Sequence, residues 1–125
     1  TDSCVLTNAS LKNQPTLIMF FSPSCDHSQH QWADMMQHKD QLKNIQIVMA
    51  TYQPFEEMVD FYKKEQIAAQ WPNIRLGRDT NFKLVPFFKI RSLPYQALFN
   101  RHGNLIATYE SNVKVEKMLE AFNSR

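Results

Sequence analysis

The chain has 125 residues, 43% hydrophobic and 21% charged, with two glycines and six prolines. That is enough for one domain with its own core, and the composition excludes a linker or disordered tract. No apolar run approaches the ~20 residues of a membrane-spanning helix, and two cysteines, Cys4 and Cys25, are too few for a disulfide scaffold. The net charge of +2 divides unevenly, −3 over residues 1–66 and +5 over 67–125. Without basic–aromatic alternation or a nucleic-acid motif, the basic stretch from Arg75 to Arg101 reads as a solvated face, and nucleic acid is not an expected partner.

Residues 4–8 suit a short edge strand and 9–15 a polar turn. Asn8-Ala9-Ser10 fits a glycosylation sequon, a pattern that also arises by chance. Leu17–Phe21 is continuously apolar between Pro15 and Ser22-Pro23, as expected of a strand covered on both faces. A helix should then run from about Cys25 to Lys43. Trp32, Met35, Met36 and Leu42 follow its apolar spacing, with Gln29, Gln31, Asp34, Gln37 and Lys39 largely on the polar side. Ile45–Thr51 reads as a second strand. Pro54 fits the first turn of a second helix, in which Phe55, Met58, Val59 and Tyr62 keep helical spacing. Strand, helix, strand, helix implies a right-handed crossover and a parallel sheet.

Residues 67–80 read as irregular, broken at Trp71-Pro72 and Leu76-Gly77. Asp79 or Thr80 can cap a short helix that Pro86 limits. Tyr95–Asn100 and Leu105–Tyr109 read as strands joined by Arg101-His102-Gly103-Asn104, a hairpin signal. Asn112 can cap a final helix carrying Val115, Met118, Leu119 and Phe122. The expected fold is α/β, a single domain over 1–125, with a mixed central sheet and helices on both faces in the order βαβ…ββα.

The chemistry centres on Cys25, delivered by Ser-Pro-Ser to the start of a helix. There the unsatisfied N–H groups and the positive end of the dipole favour a thiolate, the nucleophilic form of cysteine. His27 adds a polarisable neighbour. The bland alternative is a buried inert cysteine, but a strand-to-helix turn is not an apolar packing position. Cys25, His27 and His30 do not obviously converge as metal ligands, and no metal or cofactor is expected. Trp32, Met35 and Met36 read as core.

Phe20-Phe-Ser-Pro-Ser-Cys25-Asp-His-Ser28 resembles the active-site entry of the thioredoxin superfamily. Leu93-Pro94, followed by a strand and a glycine hairpin, resembles the segment where that family places its cis-proline. Trp71-Pro72 resembles the TlpA/ResA-like branch of extracytoplasmic thiol–disulfide oxidoreductases. The resemblance runs over about residues 14–122. It implies Cys25 as the attacking cysteine, Pro94 facing it, Leu93 offering backbone groups to an extended substrate, and Trp71 shaping the substrate surface.

Two positions depart from the family. Ser28 stands where the resolving cysteine would complete Cys-x-x-Cys, and a hydroxyl cannot resolve a mixed disulfide. Ser28 is instead expected to hydrogen-bond the Cys25 thiolate. Met19 occupies the position where many relatives carry a buried acid. The resemblance implies a monothiol oxidoreductase with Cys25, His27 and Ser28 at its centre. Its expected partners are a disulfide-bearing protein or small molecule and an external thiol that resolves the adduct. A non-catalytic module holding an extended peptide across Pro94 is the alternative. The branch implies an extracytoplasmic location, periplasmic or membrane-tethered, and the start at Thr1 fits a processed chain or a domain of a longer one.

Overall fold

Leu17, Met19 and Phe21 alternate with Ile18 and Phe20, so a strand here turns apolar side chains to both faces of a sheet. Strand β1 spans Thr16–Phe20 and lies at the centre of five strands in a computed structural model that describes residues 13–51, 55–67, 74–78 and 89–123. The other strands are β2 (Gln46–Thr51), β3 (Ile74–Arg78), β4 (Tyr95–Phe99) and β5 (Leu105–Glu110), in the spatial order β3-β2-β1-β4-β5. β1 and β3 both run parallel to β2, whereas β4 is antiparallel to β1 and to β5. The mixed α/β order expected from the apolar patterns is the one found.

Among the described residues three helices accompany the sheet: α1 (Asp26–Gln37), α2 (Phe55–Lys64) and α3 (Val115–Asn123). Leu17, Met19, Phe21, Ile47, Met49 and Leu98 share one buried cluster with Trp32 and Met35 of α1, Met58 of α2, and Val115 and Met118 of α3. Fully burying a side chain of this size contributes about 1.5–3 kcal/mol. Phe20, Ala50, Tyr95 and Ala97 form a second buried cluster, with Ile90 and Leu93 packed against it. Two rings pin α2 to the rest: Phe61 lies 5.0 Å from Phe21 and 5.4 Å from Trp32, centroid to centroid.

Two elements differ from the sequence reading. The helix expected from Cys25 to Lys43 stops at Gln37 and resumes as a 3-10 turn over Lys39–Leu42. His38 breaks it at φ −114° and ψ 26°, its N–H donating to the Met35 carbonyl three residues back. Its ring Nδ1 lies 2.9 Å from the Asp34 carbonyl oxygen, a hydrogen bond made when that nitrogen carries the proton. The second difference is β3, which lies inside the stretch read as irregular. Its five residues include two arginines and a glycine, a weak strand signal alone, and the ladder to β2 supplies what propensity does not.

The hairpin between β4 and β5 follows its residues closely. Asn100 Oδ1 accepts hydrogen bonds from the His102 and Asn104 amides, and Gly103 takes the positive φ (85°) that the turn requires. No helix among the described residues is long and apolar enough to cross a membrane. The expected strand at 4–8, Cys4, the sequon, Trp71-Pro72 and the short helix near Thr80 lie outside the described residues.

Candidate active site

Parallel strands finish at the same edge of a sheet, and this edge collects the candidate chemistry. Phe21 extends the β1 line one residue further by donating its N–H to the Ala50 carbonyl at 2.9 Å. Pro23 and Ser24 then turn the chain, and the Cys25 N–H closes the turn on the Ser22 carbonyl at 3.1 Å. Cys25 is the N-cap of α1, with an extended backbone (φ −93°, ψ 129°) and no side-chain capping bond. Its carbonyl accepts the Gln29 N–H at 3.0 Å, the first bond of the helix. The thiol is unpaired and half-buried.

An N-cap side chain occupies the place where an oxygen would accept the N–H groups of the first turn. Here that place belongs to sulfur.

Ser28, one turn into the helix, is fully buried. Its Oγ accepts the Ser22 amide N–H at 3.2 Å. Its structural partner is thus the turn that carries Cys25, and among the described residues no hydrogen bond joins Ser28 to the thiol. Gln29 reinforces the same turn by donating from Nε2 to the Pro23 carbonyl at 2.8 Å. The His27 ring is exposed and has no hydrogen-bond partner among the described residues, whereas its carbonyl accepts from Asn112 Nδ2 at 2.8 Å.

Leu93 and Pro94 reach this edge from β4. Phe20 and Tyr95 are register partners, so the residues just before Tyr95 lie beside the exit of β1 toward the Cys25 turn. The Leu93–Pro94 peptide is cis. Pro94 is buried and Leu93 half-buried. The Leu93 backbone N–H and carbonyl make no hydrogen bond among the described residues. Met19 is fully buried in β1, opposite Gln96 of β4. With its amide oriented to satisfy its surroundings, Gln96 donates to the Tyr109 and Ser111 carbonyls.

The sequence reading gave Gln31 and Asn112 other roles. Gln31 sat among the polar positions of the helix, yet it is 1% exposed. Its Nε2 donates to the Val113 carbonyl at 2.9 Å, and its Oε1 accepts the Val113 N–H at 2.8 Å. The available signal was position: Ser28, Gln31 and Met35 follow the i, i+3, i+7 spacing of a buried stripe. Asn112, expected as a cap for the last helix, instead reaches across to His27. The N–H of Val115, first residue of α3, is accepted by Asp34 Oδ2 of α1 at 3.0 Å. Asp34, His38 and Glu116 bring three potential ligand atoms within 4.8 Å of one another. They stand at the far end of α1 and do not include Cys25, His27 or His30.

The chain matches the family model of the thioredoxin-like domain over residues 5–124, and it belongs to that family. No curated protein matches it by sequence. Among solved structures, it is similar to StoA from Bacillus subtilis, with 18% identity over 88% of this chain and 83% of that one and a TM-score of 0.69. A secreted Mycobacterium tuberculosis disulfide oxidoreductase homologous to Escherichia coli DsbE shares 13% identity, with 94% and 86% covered and a TM-score of 0.72. A thiol–disulfide isomerase from Corynebacterium glutamicum shares 12%, with 99% and 90% covered and a TM-score of 0.77. At such identities the likeness is one of fold, and that fold is thioredoxin-like, as the residues around Cys25 and Pro94 lead one to expect.

Proposed function

We propose that this chain is a monothiol thiol–disulfide oxidoreductase acting through Cys25. The observation that carries the reading is the position of the thiol: unpaired, half-buried, and at the N-cap of α1, where among the described residues no side chain takes up the first-turn donors. The Cys25 thiolate attacks one sulfur of a substrate disulfide, R–S–S–R′. A Cys25–S–S–R bond forms, the substrate bond breaks, and R′–S⁻ leaves with the electron pair and takes a proton from water. Ser28 cannot resolve this adduct, since its buried hydroxyl is a poor nucleophile toward sulfur and already serves Ser22. A low-molecular-weight thiol therefore attacks as its thiolate, G–S⁻. It forms R–S–S–G and returns the Cys25 thiolate. One disulfide is exchanged for another, with no net oxidation.

The substrate strand lies along Leu93-Pro94 in this reading. The unbonded Leu93 peptide groups at the site edge support it, because an extended chain can take up exposed backbone donors and acceptors. In this reading the exposed His27 stabilises the leaving thiolate, and Trp71 contributes to the substrate surface as the family resemblance implies. The chain is read as one domain over 1–125 and as acting outside the cytoplasm, which the secreted M. tuberculosis neighbour supports.

The test is turnover of hydroxyethyl disulfide with glutathione, alongside mass spectrometry of the protein incubated with the disulfide alone. The expected result is an adduct on Cys25 and turnover abolished by Cys25→Ala. Turnover persisting in Cys25→Ala overturns the reading. Absence of any adduct favours the peptide-binding module instead.

A further inference from the structure

A groove of about 400 Å³ opens between α1 and α2, immediately beside the Cys25 turn. Its apolar lining comes from Pro23, Trp32 and Phe61. Pro23 belongs to the turn itself, and a two-residue separation keeps its Cα within about 7 Å of that of Cys25. The floor is held in place. Trp32 is 4% exposed, packs edge-on against Phe61, and donates its indole N–H to Glu65 Oε1 at 2.8 Å.

The rim is acidic. Glu57 and Asp60 stand three residues apart on α2, both exposed, and neither has an ion-pair or hydrogen-bond partner among the described residues. Lys64, one turn after Asp60, also lines the groove without pairing to either. Glu65 is engaged by Trp32, so among the described residues the two exposed carboxylates of the rim face one ammonium. An apolar slot whose rim among the described residues is net acidic, opening beside a nucleophilic thiol, is complementary to a cationic chain bearing an apolar anchor. A carboxylate-rich chain would meet like charge there.

We propose that this groove binds the segment of a disulfide-bearing protein substrate that flanks its reactive cysteine, and selects for a segment carrying lysine or arginine beside an apolar residue. The proposal rests on the reading of Cys25 as the attacking thiol and adds the substrate's chemical class to it. Because the rim charges are exposed and screened over about 8 Å at physiological ionic strength, selection acts mainly on the rate of encounter.

The experiment uses two peptides, Lys-Leu-Cys-Lys and Glu-Leu-Cys-Glu, each with its cysteine in a mixed disulfide with nitrothiobenzoate. The Cys25 thiolate attacks the peptide sulfur and a Cys25–peptide disulfide forms. The low-pKa nitrothiobenzoate thiolate leaves with the electron pair and is read by its absorbance. At low salt the lysine peptide is expected to react about fivefold or more faster than the glutamate peptide, with the ratio shrinking as salt is added. In the double variant Glu57→Lys with Asp60→Lys the ratio is expected to invert. Ala33→Arg, which fills the groove from its exposed α1 wall, is expected to bring the ratio toward one.

If Cys25 does not react even with uncharged hydroxyethyl disulfide, the reading of the thiol itself fails. If it does react but shows no charge preference, or a preference that survives the reversal, the groove proposal is overturned. Concentration-dependent dimerisation abolished by Ala33→Arg would assign the groove to a second copy of the chain, and would equally overturn it.

Discussion

The two ends of α1 are built on opposite terms. At the N-terminal end Cys25 caps the helix with a thiol that makes no capping bond, and the ring of His27 is left to solvent. At the C-terminal end Asp34 and His38 are both engaged. Asp34 accepts the first N–H of α3, and His38 lies 3.4 Å from both Asp34 Oδ1 and Glu116 Oε1. Between them Gln31 grips both backbone groups of Val113. The difference teaches how a small domain can keep one end chemically available. A helix start left uncapped costs about 1 kcal/mol relative to one capped by serine or aspartate, and here the remainder of the same helix is fastened across to α3. In this arrangement the uncapped end depends on bonds made one to three turns away.

The largest expected effect comes from altering the available end. Ser28→Cys places a second sulfur one turn from Cys25 in the position of a resolving cysteine. An intramolecular thiol acts at an effective concentration of millimolar or more. The adduct with a substrate peptide is therefore expected to be released without added thiol, at least tenfold faster than in the parent chain. Mass spectrometry of the adduct over time measures this. An adduct equally long-lived in both proteins would show that the turn cannot bring position 28 to the sulfur. The variant also loses the acceptor of the Ser22 N–H, so a stability loss of about 1 kcal/mol should accompany it.

Next in size is the central clasp. Gln31→Ala strands the Val113 N–H and carbonyl in the interior, and each unsatisfied buried group costs about 1–3 kcal/mol. A loss of about 3 kcal/mol in urea unfolding is expected, with faster amide exchange in residues 111–115. A loss below about 1 kcal/mol would mean that water replaces the amide at little cost, and the fastening would then lie elsewhere.

Much of this contrast was legible in the residues, though unevenly. The apolar run before Ser22-Pro23, the turn that presents Cys25 and the Leu93-Pro94 segment each carry a local signal, because strand periodicity and turn chemistry are written in consecutive residues. Strand β3 was not legible, since Ile74–Arg78 becomes a strand through pairing with β2 rather than through its own propensity. Gln31 and Asn112 were hidden for a related reason. A glutamine on a helix reads as solvated until a distant backbone segment, here 82 residues away in sequence, supplies partners for both ends of its amide. The end of α1 at His38 was masked by helical spacing that continues to Leu42, while the break depends on where one ring nitrogen goes.

The smallest expected effects lie at the fastened end, where they separate two kinds of bond. Asp34→Ala removes the acceptor of the Val115 N–H, a capping bond supplied from another helix, and such losses cost about 1 kcal/mol. Asp34→Asn keeps an oxygen acceptor in place and should recover most of that stability. His38→Ala removes the 2.9 Å ring contact to the Asp34 carbonyl and two contacts at 3.4 Å whose carboxylates are 31% and 66% exposed, and exposed ion pairs contribute about 0.2–1 kcal/mol, less in salt. The expected order of destabilisation is therefore Asp34→Ala, then His38→Ala, then Asp34→Asn, with 0.5 M salt removing the ion-pair part of each effect and leaving the capping loss of Asp34→Ala. Urea unfolding of the three variants at low and high ionic strength decides it. If His38→Ala proved the most damaging and kept its effect in salt, α1 and α3 would be joined through the imidazole rather than through the carboxylate cap. The contrast between the two ends of α1 would then rest on a single ring, not on a distributed set of hydrogen bonds.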